Sequence, residues 1–209
     1  MFLLANPNSD RQTTARMCAI AAQILPGIRG WTAPAGPRLI STPQDLDRAA
    51  GMVAALDPPP GCRGVIVSAF GDPGAARLRT RLGLPVVGIG AAAARAAAGG
   101  GRSFAVATTT PALAGRIDRL MRAHGGAGRY LGCWLTGDGS DDPTCQPEAL
   151  DAALLAAVGA AAAGGAQAVI IGGGPLADAA LRLAGSAPVP LVQPIPEAAR
   201  LMARIGESR

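Results

Sequence analysis

Four short polar segments of the sequence carry groups that could hold an oxygen anion. Each follows an apolar run that is predicted to be a β-strand. They are Asn6-Pro7-Asn8, Ser68 to Gly74, Thr108 to Thr110, and Gly172 to Pro175. Ser and Thr hydroxyls, and the N–H groups of glycine-rich helix starts, are suited to binding a carboxylate or an oxyanion. Any one segment could equally be a turn or a helix cap, but together they predict a site for an anion or a carbonyl group.

The residue types that the sequence lacks limit its chemistry. It contains no lysine, so all 19 of its Lys and Arg residues are arginines. The chain therefore has no amine for a pyridoxal Schiff base and no P-loop lysine. Its four cysteines form no C-x-x-C pair and His124 is the only histidine, which argues against a structural zinc site. We expect chemistry without a cofactor or a metal.

Asp72 is the ionisable side chain best placed among these segments to move a proton. It lies in the loop Ser68 to Gly74, where loop hydrogen bonding or a cap on the following helix is the simpler role. His124 precedes Gly125 and Gly126 at the end of a predicted helix, where it most simply contributes to the C-terminal cap. Catalysis is the alternative role for each.

One cysteine could also lie at the site. Cys145 falls in the polar loop Thr136 to Pro147, which should follow a strand. The loop also contains Asp138, Asp141 and Asp142, whose charges would disfavour a thiolate. The other cysteines fall within or beside predicted helices and strands and are expected to be structural; they are Cys18, Cys62 and Cys133.

Short apolar runs alternate with helical stretches along the chain. Such alternation predicts parallel sheets that are covered by helices on both faces and joined by right-handed crossovers. The predicted strands are 2–5, 39–41, 64–68, 85–89, 103–107, 130–135, 168–171 and 190–192. The predicted helices are 13–25, 43–55, 74–82, 111–124, 148–163, 176–184 and 196–205.

The pattern restarts about halfway along the sequence. We therefore predict an α/β protein with two pseudo-symmetric lobes, residues 1–95 and 96–195, and with the last helix, 196–209, packed on the first lobe. Ligands of open α/β sheets bind beyond the carboxyl ends of the strands. Two lobes that face each other would collect the polar segments around one cleft.

Composition narrows the class of protein. The chain has 209 residues, of which 49% are hydrophobic and 3% aromatic, so its core must be aliphatic. The net charge is +5, but the arginines are dispersed and few aromatic residues could stack on bases, so nucleic-acid binding is not expected. No apolar run predicts a membrane span, and the first apolar run is too short for a signal peptide. We expect a cytoplasmic protein that binds a small molecule.

The order of these motifs resembles the hydantoin racemases of the aspartate/glutamate racemase superfamily. The most distinctive matches are the loop Phe70 to Gly74 and the run Pro85 to Gly90. The resemblance implies cofactor-independent racemisation of cyclic ureides by two cysteines on opposite sides of a cleft, and a homo-oligomer. It implies ligand contacts at Asn6, Ser68, Ala69, Phe70, Gly71, Thr108, Thr109, Gly172, Gly173 and Gly174.

The sequence departs from this family at the residues that carry the chemistry. By the resemblance, the two cysteine positions are Ala69 and Gly173. Two acidic positions of the family correspond to Ala91 and Gln193. Alanine and glycine side chains carry no proton, and a positioned acid or base contributes about 10²–10⁴-fold to a rate. Racemisation by a thiol pair is therefore not expected.

Three functions remain open. The first is a divergent isomerase, lyase or decarboxylase step on an amino-acid-derived carboxylate or cyclic ureide, in which Thr108, Thr109 and loop N–H groups hold an enolate-like intermediate. The second is a catalytically inactive protein that binds a small metabolite as a sensor or regulator. The third is an active racemase that uses other groups.

Overall fold

The computed structural model describes residues 1–137 and 146–207. The chain divides into two compact units. The first comprises Met1–Ala92 together with Ile195–Arg209, and the second comprises Ala93–Pro194. Each unit has its own sheet of four parallel strands, with helices alternating between the strands. The predicted α/β class is confirmed.

The elements run in a regular order along the chain. The first half contains β1 (Phe2–Asn6), α1 (Arg11–Ala22), β2 (Ile28–Thr32), α2 (Pro43–Ala54), β3 (Val65–Val67), α3 (Ala75–Leu82), β4 (Val86–Gly88) and α4 (Ile89–Ala97). The second half contains β5 (Ser103–Thr108), α5 (Ala114–His124), β6 (Arg129–Leu135), α6 (Pro147–Ala163), β7 (Ala168–Ile171), α7 (Ala177–Leu183), β8 (Leu191–Val192) and α8 (Pro194–Glu207). Short 3-10 turns lie at Gly99–Gly101, Pro111–Leu113 and Gly174–Leu176.

The two sheets have corresponding strand orders. The first unit has the order β2-β1-β3-β4 and the second has the order β6-β5-β7-β8. In both, the first and third strands of the unit lie side by side in the interior of the sheet and are almost wholly buried. The cores are aliphatic, as the composition predicts. They contain Leu3, Val53, Val65 and Leu78 in the first unit and Leu154, Val158, Val169 and Ile171 in the second.

The second strand was placed wrongly by the sequence. We predicted residues 39–41, whereas β2 is Ile28–Thr32. This strand lies at the edge of its sheet and is only half-buried, so it combines Arg29 and Gly30 with Trp31 instead of forming a continuous apolar run. The apolar pair Leu39-Ile40 lies in an irregular segment before α2.

Two helices also differ from the prediction. The first helix begins at Arg11, not Thr13, because the Asp10 side chain caps it by accepting a hydrogen bond from Gln12 N. It ends at Ala22 rather than near Leu25. The alanine-rich helix α4 was not predicted at all. Its first turn is held by a side chain from another part of the chain, which no local pattern reveals.

Candidate functional site

Ala69 and Gly173 occupy equivalent places in the two units. Ser68 N donates to Ala5 O of β1 at 2.9 Å, and Gly172 N donates to Ala107 O of β5 at 2.8 Å. These two hydrogen bonds end the pairing of β3 with β1 and of β7 with β5. The next residue beyond each is Ala69 in the first unit and Gly173 in the second. Both therefore lie just past the carboxyl end of an interior strand, where α/β sheets bind ligands.

Two hydroxyls at these strand ends are used to hold neighbouring strands together. Ser68 Oγ donates to Ala5 O at 2.9 Å. In the second unit, Thr108 Oγ1 donates to Gly172 O at 2.9 Å and lies 3.2 Å from Thr110 Oγ1. Both Ser68 and Thr108 are fully buried. Their hydroxyls therefore fix the loops in place and have limited capacity for a ligand.

Asp72 caps the helix α4, which lies further along the chain than the helix that follows it directly. Its Oδ1 accepts from Gly90 N at 2.8 Å and its Oδ2 from Ala91 N at 2.7 Å, both in the first turn of α4. The helix that follows it directly, α3, begins at Ala75, and its N-cap residue is Gly74, which has no side chain that could form a cap. The two hydrogen bonds shown for Asp72 therefore cap α4, whereas the sequence predicted a cap on α3. The carboxylate ties the loop after β3 to the N-terminus of α4.

Asn6 is at the centre of a buried network in the first unit. Its Nδ2 contacts Asn8 Oδ1 at 2.7 Å, Thr14 Oγ1 at 2.9 Å and Asp10 O at 3.2 Å. Its Oδ1 accepts from Asn8 N at 3.2 Å. Thr14 Oγ1 in turn lies 2.7 Å from Thr32 Oγ1 at the end of β2. The amide of Asn6 is thus fully engaged, and it holds the loop after β1 against α1.

Several backbone N–H groups at the strand ends are unpaired. Within the described ranges, the N–H groups of Ala69, Phe70 and Gly71 have no hydrogen-bond acceptor, and neither do those of Gly173 and Gly174. The Phe70 side chain is buried, so this residue offers its backbone more readily than its ring. Unpaired N–H groups that cluster at a strand end are the donors from which an oxyanion site is built.

Thr109 has a hydroxyl directly after β5, the strand that pairs with β7. The residue is 9% exposed, and its Oγ1 has no hydrogen-bond partner in the part of the chain that the structure describes. Thr108 and Thr109, which were predicted together, therefore differ in role. The hydroxyl of Thr108 holds two strand ends together, whereas the hydroxyl of Thr109 is available to donate a hydrogen bond to a ligand.

The backbone at Gly173 differs from that of an ordinary loop residue. Its φ is 142°, in a region that residues with a side chain rarely adopt. A Cβ built there would meet only Leu176, at 3.5 Å, so space for a side chain exists. The conformation, not the packing, requires glycine at this position.

The cysteines lie away from these strand ends, or outside the described residues. Cys18 is on α1, where burial raises the pKa of its thiol. Cys62 precedes β3, and its Sγ donates to Gly64 O at 3.3 Å. Burial raises the pKa of Cys133, within β6, to about 11, which disfavours a thiolate. Cys145 falls outside the described residues, as do Asp138, Asp141 and Asp142.

The structure also describes the other positions that the sequence singled out, His124, Ala91 and Gln193. His124 is the last residue of α5, directly before the C-cap Gly125. Ala91 donates its N–H to Asp72, and Gln193 lies half-buried between β8 and α8. Within residues 1–137 and 146–207, no three His, Cys, Asp or Glu side chains are grouped so that they could hold a metal ion.

A family model described as Asp/Glu/Hydantoin racemase matches residues 3–202. The chain belongs to this family. The expected resemblance is thereby confirmed over nearly the whole sequence. No curated protein sequence matches the chain.

Solved structures of other racemase-family proteins share the fold. The allantoin racemase from Pseudomonas fluorescens has a TM-score of 0.87 and 23% sequence identity, over 99% of this chain and 91% of that one. The allantoin racemase from Klebsiella pneumoniae has a TM-score of 0.81 and 23% identity, over 99% of this chain and 87% of that one. Unliganded arylmalonate decarboxylase has a TM-score of 0.61 and 18% identity, over 97% and 90%. These likenesses establish a shared racemase-family fold.

The sequence did not show which polar side chains are already hydrogen-bonded within the chain and which are left with free donors. The sequence prediction placed Asn6 among the ligand contacts and did not include Asn8, and residue types alone do not show that the amide of Asn6 is already paired within the chain. The sequence also did not show that both oxygens of Asp72 accept hydrogen bonds from α4.

None of the helices in the described ranges is long and apolar enough to cross a membrane.

Proposed function

We propose that the protein binds a small amino-acid-derived carboxylate or cyclic ureide at the carboxyl ends of its strands, without a cofactor. The observation that carries this proposal is that each unit has unpaired N–H groups at a strand end, those of Ala69, Phe70 and Gly71 in the first and those of Gly173 and Gly174 in the second. The second unit also has the free hydroxyl of Thr109, directly after β5. These donors suit the oxygens of such a ligand. Family membership supports the same ligand class.

We further propose that the protein does not racemise its ligand by a pair of thiols, and that it catalyses a different isomerase, lyase or decarboxylase step. By the family resemblance, the two thiol positions are Ala69 and Gly173, and neither residue can transfer a proton. The N–H donors would still stabilise an enolate, as an isomerase, lyase or decarboxylase step requires. The names of the structural relatives make allantoin and an arylmalonate the first compounds to test on this chain.

The second candidate is a non-catalytic metabolite-binding protein that acts as a sensor or regulator. The observation that favours it is the engagement of Asp72, because both of its oxygens already accept hydrogen bonds from α4. A carboxylate with this role is a poor base. Such a protein would bind its ligand and release it unchanged.

Calorimetry and isotope exchange together separate these candidates. Binding of allantoin, a 5-substituted hydantoin or an arylmalonate is measured first by isothermal titration. Each bound compound is then incubated in heavy water and followed by NMR for deuterium at the α-carbon, for loss of carbon dioxide and for racemisation. Product without racemisation supports the divergent enzyme, and binding without any reaction supports the sensor. Racemisation at an enzymatic rate would contradict the proposed loss of that activity.

We also propose that the protein is cytoplasmic and that it forms a homo-oligomer, as the resemblance suggests. Self-association of the purified chain is measured by sedimentation velocity at several concentrations. A monomer at every concentration would overturn this part of the proposal.

A further inference from the structure

Asn8 follows the interior strand β1, and its side chain is almost completely enclosed. The residue is 5% exposed. Its strand, β1, pairs directly with β3, whose carboxyl end leads to Ala69. Asn8 therefore belongs to the same edge of the sheet as the unpaired N–H groups of the first unit.

The hydrogen bonds of Asn8 fix which way its amide points. Its Oδ1 accepts from Asp10 N at 2.9 Å and from Asn6 Nδ2 at 2.7 Å. A backbone N–H can only donate, so the atom that faces Asp10 N must be the oxygen. The amide of Asn6 is fixed in the same way, because its Oδ1 accepts from Asn8 N.

This orientation leaves the amide NH₂ group of Asn8 without an acceptor among the residues that the structure describes. Asn6 has no such surplus, because its NH₂ group contacts three oxygens. The nitrogen itself is accessible to solvent, because none of the described residues has an enclosed side-chain nitrogen or oxygen without a hydrogen-bond partner. The side chain of Asn8 is therefore buried and fixed in orientation, while the donors that it leaves unpaired lie at its accessible end, where an acceptor from outside the chain could replace water.

We infer that Asn8 is a ligand-binding residue, whose amide NH₂ group donates to an sp² oxygen of the ligand, and that Asn6 is the positioning residue that orients it. This inference rests on the proposed function. The acceptor is a carboxylate oxygen or a ureide carbonyl oxygen, since both present lone pairs in the plane of the group. Asn8 would thereby contact an oxygen of a ligand that is bound at the carboxyl edge of the first sheet.

The variant Asn8→Asp tests the donor without removing the scaffold. An aspartate keeps an oxygen facing Asp10 N and Asn6 Nδ2, but it replaces the NH₂ group with a second, negatively charged oxygen. We expect affinity for a hydantoin, which is neutral, to fall by about 10- to 100-fold. Affinity for an arylmalonate should fall further, because its carboxylate would also be repelled. Isothermal titration of both compounds distinguishes the two acceptor types.

The variant Thr32→Val is the matched control. It removes the hydrogen bond between Thr14 and Thr32 at the far side of the same network, while leaving Asn8 intact. Its affinity should stay within about twofold of the wild type, below the loss expected for even one hydrogen bond. An equal loss of affinity in both variants would assign Asn8 a merely structural role and overturn the inference.

A measurement on the wild type covers the case in which Asn8→Asp does not fold. In the ¹⁵N-labelled protein, the NH₂ signals of Asn8 should exchange rapidly with water and become protected when ligand saturates the protein. The NH₂ signals of Asn6 should be protected throughout. Unchanged exchange at Asn8 on saturation, or wild-type affinity in Asn8→Asp, overturns the inference alone. A wild type that binds none of the compounds overturns the proposed function, and this inference with it.

Discussion

Gly173 combines space for a side chain with a backbone that excludes one. Its φ of 142° is strained for any residue that has a Cβ, whereas Leu176 leaves ordinary contact distance. Ala69, at the equivalent place of the first unit, has no positive φ. The two positions that the sequence predicts to match the family's cysteines therefore differ in how readily each would accept a thiol.

Stability measurements on two single variants test this difference. We expect Gly173→Cys to lower the free energy of unfolding by about 1–3 kcal/mol because of backbone strain. Ala69→Cys, at a half-buried site with ordinary backbone, should change it by less than about 1 kcal/mol. Equilibrium unfolding in urea measures both values. The control Gly173→Ala should match Gly173→Cys, since the Cβ causes the strain in both; equal values for Ala69→Cys and Gly173→Cys would contradict the argument.

At the scale of helices and loops, hydrogen bonds hold the loop after β3 against the first turn of α4. Asp72 adopts a φ of 50° and places both carboxylate oxygens on N–H groups of α4. Gly88 makes this approach possible, because a Cβ there would collide with the Asp72 carboxylate. The loop that carries Ala69 and Phe70 is thus held by a contact between residues far apart in sequence.

A double-mutant cycle between Asp72 and Gly88 measures this contact. Asp72→Gly suits the positive φ and removes the cap on α4, so we expect a loss of about 0.5–2 kcal/mol. Gly88→Ala should destabilise the wild type by displacing the carboxylate, but it should cost clearly less in the Asp72→Gly background, where that space is empty. Urea unfolding of the four proteins yields the coupling energy. Additive effects would show that the carboxylate and Gly88 do not compete for the same volume.

Arg81 plays a comparable role between α2 and α3. Its guanidinium donates to Ala54 O at 2.9 Å, to Leu56 O and to Asp57 Oδ1 at 2.8 Å. Ala54 is the last residue of α2, whose terminal carbonyl groups need a partner, and Leu56 lies two residues beyond it. A fork with five donors can serve all three at once, and a lysine ammonium cannot.

We therefore expect Arg81→Lys to destabilise the protein although the charge is kept. The loss should be about 1 kcal/mol, equivalent to about 2–4 °C in Tm for a chain of this size. Arg77→Lys, an exposed position on the same helix, is the matched control and should change Tm by less than about 1 °C, in keeping with the small effect of surface changes. Thermal unfolding followed by circular dichroism measures both. Equal shifts for the two variants would count against the capping role.

The strands and helix caps differ in how well the sequence alone predicts them. The interior strands β1, β3, β5 and β7 were predictable because a strand buried on both faces must be continuously apolar. The edge strand β2 was not, because one exposed side permits Arg29 within it. The cap of α4 and the free donor of Asn8 depend on which groups meet in three dimensions. A single sequence contains the residue types for these contacts but not their pairing.

At the scale of the whole molecule, the last helix belongs to the unit that begins the chain. The contacts group Ile195–Arg209 with Met1–Ala92. Within α8, Ile195, Ala198 and Met202 are buried. A Cβ at Gly64 would come within 2.7 Å of Met202 Sδ, so the helix packs closely against the residue that precedes β3. The first unit is therefore completed only when the second half of the chain has been made.

Two core truncations should separate the units in hydrogen exchange. Met202→Ala removes a fully buried side chain of α8 and should cost about 2–5 kcal/mol, with protection lost mainly in peptides from β1 and β3. Leu154→Ala, equally buried in α6, should cost a similar amount but mainly expose β5 and β7. Hydrogen exchange with mass spectrometry of the two variants, side by side, makes the comparison. If Met202→Ala exposed β5 and β7 as strongly as β1 and β3, the two units would unfold as one, because the energy lost in one core would then be shared by the other.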